Sequence, residues 1–428
     1  MSDMSDRLTL YNARLLCAAT GRDEIGGIVV EAGHILDLGS HIKPHKAAVD
    51  CQRQALIPGL IDSRVQLSDP GRRDRETLEE TLSAAVRGGI TTLVAVPAPF
   101  AQIDSVSGLD SLREQAKGLA LARLEVTAAV TQGAAGAELN ALGLLADAGA
   151  VALSDGHRPL ASSRFFAEAL RQSDLHGLAL CNLCLDPELG RGHMHAGLMA
   201  TRLGLEGSPS VAEVLMLERD LQLLRSYGGR YHASLITSAE GVACIRRAKA
   251  EGLAVTAATS VHHLLLNELA VEGYRTFAKL WPPLRSESDR LALVQGLADG
   301  TIDCLVSDHC PVDSEAKRVP FASAESGIVG LEALLPLSLL AVQRGDLSLM
   351  RWLDAMTLAP AKLHRLERGG LKIGAAADLT LVDLDAPRLL DADALSTPCR
   401  NFSYETLPAQ GKVLKTWVAG RCRFDAEV

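Results

Sequence analysis

Apolar and polar positions divide the chain into two textures. Between residues 60 and 312, short runs rich in aliphatic and β-branched side chains recur: ITTLVAVPAP at 90–99, LEVTAAVT at 124–131, GAVALSD at 149–155, LALCNLC at 178–184, RYHASLIT at 230–237, LAVTAAT at 253–259 and TIDCLVSDH at 301–309. Amphipathic stretches separate them, among them RETLEETLSAAVRGG, SVAEVLMLERDLQLLRSYGG and SAEGVACIRRAKAEG. The former read as buried strands and the latter as helices with one apolar face. Strand followed by helix, repeated about eight times over roughly 300 residues, predicts an α/β fold, a (β/α)8 TIM barrel, whose chemistry sits at the strand C-terminal ends. The two ends of the chain differ: RLTLYNARLL, GGIVVEAGHILDLG, ADLTLVDLDAPRLLD and GKVLKTWVAGRCRFD alternate as short strands punctuated by Gly. They predict a small composite β-sandwich domain from residues 1–57 plus 370–428, with the barrel spanning 58–369.

Composition narrows the picture. Of 428 residues, 47% are hydrophobic and only 4% aromatic, so the core must be aliphatic. A net charge of −9 without a basic cluster argues against nucleic acid and membrane surfaces as partners. The start, MSDMSDRLTLYNARLL, has no continuous apolar segment of the secretory kind, and no uncharged run reaches the length of a spanning helix. Nine cysteines scattered along the chain read as reduced thiols, hence a cytoplasmic protein.

The chemistry-bearing stretch is PGLIDSRVQLSDPG, residues 58–71. Its frame resembles the first strand of the amidohydrolase superfamily. With GLEGSPSVAEVLMLERDL, PPLRSESDRLALVQGLADGTIDCLVSDHCP and TLAPAKLHRLERGGLKIGAAADLTLVD, it resembles dihydroorotase along nearly the whole chain. That resemblance implies a zinc-dependent enzyme interconverting carbamoyl aspartate and dihydroorotate in pyrimidine synthesis. It also implies ligands that are missing. Where the family carries an HxH pair, this chain has Arg64 and Gln66. An arginine has no lone pair for a metal, and glutamine is a poor zinc ligand. Two later histidine positions fall on Leu183 and Leu235, although His232 remains nearby. The bridging turn keeps Asp155 and Gly156, and Asp308 survives from the family's last ligand motif, whose second His is Val312. Positions implied to hold substrate carry Ser68, Ala98 and Trp281.

These substitutions lead to the expectation of an inactive pseudoenzyme with no metal or cofactor. The resemblance then implies a structural subunit that partners aspartate carbamoyltransferase as a hetero-oligomer and self-associates. Two alternatives stay open: an active cyclic amidohydrolase with a rebuilt mononuclear site using Asp308, His232 and His193 or His195, or a metabolite-binding sensor. Asp308 and Asp155 are expected to face a barrel mouth emptied of cations, with Arg64 pairing to Asp308 and with Leu183, Leu235 and Trp281 filling the vacated space. Other candidates read as structural: Cys181 and Cys184, whose spacing points them apart on a strand, His262 and His263 at a helix start, and His34, His41 and His45 in solvated loops. Glu76, Glu79 and Glu80 read as a solvated helical face.

Overall fold

Eight parallel strands form the middle of the chain in the computed structural model, which describes residues 7–101 and 103–427. Residues 1–6, on which the reading of the start as no secretory signal partly rests, lie outside the described residues. The strands are β1 (Leu60–Gln66), β2 (Ile90–Val96), β3 (Arg123–Ala128), β4 (Ala152–Leu153), β5 (Ala179–Asn182), β6 (Tyr231–Ala233), β7 (Val255–Ser260) and β8 (Cys304–Val306). Each is paired with the next in chain order. Every residue of β2 is buried, as for a parallel strand covered on both faces. The ring closes between β8 and β1 through a bridge from Val65 to His309, with the Gln66 N–H donating to the His309 carbonyl at 3.0 Å. That closure brings residue 308 beside residues 64 and 66, although 242 or more positions separate them in the chain.

Helices cover the outside. In α1 (Leu78–Arg87), Thr77 and Glu80 form a reciprocal capping box, and Leu78, Leu82 and Ala85 turn to the strands at helical spacing. Ser105 caps α2 (Val106–Leu119), and Ser238 caps α4 (Ala239–Ala250), which follows α3 (Val211–Tyr227). Each such side chain satisfies a backbone N–H that the first helical turn leaves unpaired. Among the described residues, no helix is long and apolar enough to cross a membrane.

The ends of the chain build one further sheet. Residues 7–17, 22–31, 34–39, 49–50 and 55–58 join 379–389, 408–418 and 421–425 in a single hydrogen-bonded set of eight strands. The stitch is Ala55–Pro58, paired to the first strand on one side and to Leu379–Leu389 on the other. Leu10, Leu15, Ile28, Leu56, Leu379 and Trp417 form its core. Only Gly59 separates this sheet from β1, and a Cβ there would stand 2.2 Å from the Thr91 side chain. Residues 390–407 leave the sheet and cross to the barrel, where the Asn401 amide accepts from Val312 N–H at 3.1 Å and donates to the Cys310 carbonyl at 2.8 Å.

Candidate active site at the barrel mouth

Arg64 and Gln66, two residues apart, share one face of β1. Arg64 Nε donates to Asp308 Oδ1 at 2.8 Å, and its Nη1 donates to the Gly156 carbonyl at 3.2 Å. The pair anticipated from the sequence is therefore present, with side chains only 4% and 5% exposed. Burial pushes the Asp308 carboxyl above the usual carboxylate range, and the adjacent guanidinium pulls it only part of the way back. The Asp308 backbone has φ 49°, the left-handed region. That conformation costs an L-residue on the order of 1–2 kcal/mol. Neighbouring bonds impose it: Gln66 N–H to the His309 carbonyl, His309 N–H to Ser307 Oγ at 3.0 Å, and Cys310 N–H to the Ile328 carbonyl at 3.0 Å. Among the described residues no donor reaches the other carboxylate oxygen, and Asp308 lines a cavity.

That cavity has a volume of ≈ 170 Å³ and is lined in part by Gln66, Ser68, Ala98, His157, Trp281 and Asp308. Five of the positions implied by the resemblance to touch metal or substrate thus meet at one opening: Gln66, Ser68, Ala98, Trp281 and Asp308. Beneath it, Leu183 and Leu235 join Cys181, Ala258, Cys304 and Val306 in an apolar cluster against which Trp281 packs. Asp155 departs from expectation. Its carboxylate turns to Thr131, accepting from the backbone N–H at 2.9 Å and the hydroxyl at 2.6 Å, so it presents no unpaired charge to the mouth. Gly156 has φ 65°, and a Cβ there would lie 1.9 Å from the Pro97 carbonyl, so only glycine places this carbonyl under Arg64. Val312 is buried and held through its backbone by Asn401.

Sequence reasoning misplaced one residue and passed over others. Glu76 is not on a solvated face: it is fully buried, with Oε2 2.9 Å from His309 Nε2 and accepting from the Thr81 hydroxyl at 2.8 Å. Burial raises its carboxyl, but His309 and the hydroxyls around it outweigh that and leave it lowered. The contact spans 233 positions, which no local charge pattern reveals. Glu80, by contrast, serves the α1 cap. Arg75 donates to Asp313 at 2.8 Å and to both oxygens of Glu325 at 2.8 and 2.9 Å, tying the segment 313–327 across the cavity. Its guanidinium and that of Arg72 stack on Phe100. His157 lines the cavity, its Nδ1 3.5 Å from the Pro97 carbonyl, and burial lowers its pKa so that it stays neutral. Its place in SDGHRP, directly after the retained Asp155–Gly156, was the available signal.

The donors present do not fit the zinc that the resemblance implies. A guanidinium occupies the first ligand position and is bonded to Asp308, while the other retained carboxylate, Asp155, is bonded to Thr131. The relocated set does not converge either: His232 is buried against the Thr256 hydroxyl at 2.8 Å, and His195 lies on a short strand paired with residues 207–208. Among the described residues, no group of three or more His, Cys, Asp or Glu is placed to hold a metal ion. Cys181 and Cys184 point into different clusters, Cys184 meeting the Tyr231 hydroxyl at 2.8 Å. His262 and His263 are buried and bonded to Tyr404 and to Ser260 and Pro282.

Comparison with known proteins extends over the full chain. A family profile described as "Dihydro-orotase-like" matches residues 53–241, and one described as "Amidohydrolase family" matches residues 208–423. A protein named Dihydroorotase from Anaplasma phagocytophilum is 36% identical, covering 97% of this chain and 95% of its own length. A second Dihydroorotase, from Anaeromyxobacter dehalogenans, is 38% identical with 98% of both chains covered. Among solved structures, an L-hydantoinase (dihydropyrimidinase) from Arthrobacter aurescens superposes with a TM-score of 0.87 at 24% identity, over 98% of this chain and 96% of that one. At that identity the likeness bears on the fold. The full-length relatives overturn the expectation of an inactive, purely structural subunit, because they carry the name of an enzyme. Losing four imidazoles removes one means of activating water. It leaves a strained, buried carboxylate opening onto a cavity, and the step from missing ligands to missing activity does not follow.

Proposed function

This chain belongs to the dihydroorotase-like family of amidohydrolases, and on that premise we propose that it opens and closes a cyclic amide of the pyrimidine pathway at the barrel mouth, with the Arg64–Asp308 pair standing where relatives would carry metal. The observation that carries this reading is Asp308: a buried carboxylate held in left-handed backbone on a residue that lines the cavity, one oxygen pinned by Arg64 and the other reached by no donor among the described residues. Local strain retained at one carboxylate is a feature of working sites. In the proposed step a water oxygen bonds to the amide carbon and Asp308 takes the water's proton. The carbon–nitrogen bond then breaks and Asp308 returns that proton to the departing nitrogen. A carboxyl raised by burial is a better base for this than an ordinary one. Gln66 and Ser68 offer hydrogen bonds to the ring, and Arg64 positions the base without lining the cavity.

Dihydroorotate and carbamoyl aspartate are the compounds to assay, following the relatives' names. Asp308→Asn is expected to lower kcat at least about 100-fold, the range of a general base, with a smaller change in KM. Saturable binding of either compound with no turnover in the unaltered chain would overturn the reading. Nine free cysteines, seven of them buried, support a cytoplasmic location. Association with aspartate carbamoyltransferase rests on the resemblance alone and is tested by co-elution of the two purified chains.

A further inference from the structure

At the end of the barrel opposite Asp308, a second groove of ≈ 690 Å³ opens between the start of β3, the latter part of α2 and the strand Arg421–Asp425. Its floor holds four arginines that are neither fully buried nor fully exposed: Arg113, Arg123, Arg368 and Arg423. Two carboxylates answer them. Arg123 pairs with Asp378 at 2.9 Å, and Arg368 pairs with Glu125 at 2.7 Å. Asp378 is further committed to the Ala419 N–H at 2.7 Å. Among the described residues Arg113 donates only to a backbone carbonyl, that of Ala148, at 2.9 Å. Arg423 forms no ion pair among the described residues, and its Nε is buried without an acceptor. The fully exposed Asp110, Glu114 and Lys117 stand at the rim, where water screens them.

Two uncompensated guanidinium groups in one groove run against the grain of a chain whose net charge is −9. Burial and the neighbouring Arg421 lower the Arg423 pKa, the sign of a cation lacking its counter-ion. A forked guanidinium matches the oxygens of a phosphate with two parallel hydrogen bonds. Clefts between structural layers are also where small ligands are commonly seated. We propose that this groove binds a phosphate-bearing small molecule, held by Arg423 and Arg113, at a site separate from the barrel mouth.

Titration calorimetry of the full chain with inorganic pyrophosphate tests the proposal. The expected result is one saturable site, weakened about tenfold in Arg423→Gln and again in Arg113→Gln, as for loss of one charge-assisted hydrogen bond each. Both variants should keep the unaltered melting midpoint and the turnover measured at the barrel mouth. Should Arg423→Gln fail to fold, Arg113→Gln carries the test. Displacement by a nucleoside triphosphate would identify nucleotide phosphate as the source, and displacement by inorganic phosphate alone would identify the free ion. No saturable heat with pyrophosphate, or undiminished binding in both variants, overturns the proposal.

Discussion

Arg64 and Asp308 hold each other at 2.8 Å where almost no water reaches them. Removing one partner of such a pair strands the other's charge, so Arg64→Met should lower unfolding stability by roughly 3–5 kcal/mol, read from the denaturant midpoint. Adding Asp308→Asn to that variant should restore part of the loss. An unchanged midpoint in Arg64→Met would contradict the pairing. His364 offers a second test. It is buried, and burial lowers its pKa from 6.5 to about 4 although the Val151 backbone pulls the other way. Unfolded, it takes a proton as the pH falls through 6.5; folded, it resists until about 4. Its contribution is complete above pH 6.5 and is lost as the pH drops toward 4. Relative to His364→Phe, the unaltered chain should lose up to about 1.4 kcal/mol more per pH unit across that window. Parallel stability profiles would show the ring to be solvated. At this scale the sequence was informative where a residue type is chemically exclusive: arginine at a metal-ligand position required a carboxylate, and Asp308 was the partner expected. It misread Glu76 as part of a solvated face, because its partner His309 is reached only after the barrel closes.

Element by element, the strands and helices were legible because their apolar periods are unambiguous; the α1 cap was not read, Glu80 having been assigned to a solvated face although it sits three residues after Thr77, as a capping box requires. The segment 313–327 was not legible either. It carries no regular period, and what holds it is Arg75 reaching Asp313 and Glu325, and Lys317 donating to the Glu325 carbonyl at 2.7 Å. Glu325, Ser326 and Gly327 roof the cavity. Glu325→Gln should therefore loosen the roof and raise KM severalfold while kcat changes little, measured in steady-state turnover. An unchanged KM would mean that the roof does not hold substrate. The turn after β4 is constrained more tightly. With a Cβ 1.9 Å from the Pro97 carbonyl, Gly156→Ala must move the backbone that accepts from Arg64. The expected result is a lowered melting midpoint together with weakened turnover, from one methyl group that touches no substrate.

For the molecule as a whole, the barrel and the sheet joined from both termini follow from alternating patterns that any chain of this texture would share, which is why the fold was readable without a structure. Activity was not readable in the same way. Counting ligand positions led to an inactive scaffold, whereas relatives along 97–98% of the chain bear the name dihydroorotase. Sequence positions register which donors were lost; they do not register the cavity, its neutral His157 or the Asp308 oxygen that no donor reaches among the described residues. In the proposed reaction the Arg64–Asp308 ion pair does the work of a metal centre. The most direct test is turnover of dihydroorotate and carbamoyl aspartate by chain dialysed against a strong chelator, with metal content measured on the same sample. Turnover is expected to persist at negligible metal content and to vanish in Asp308→Asn. Turnover that appears only when zinc is added back, or none under either condition, would contradict that role of the pair.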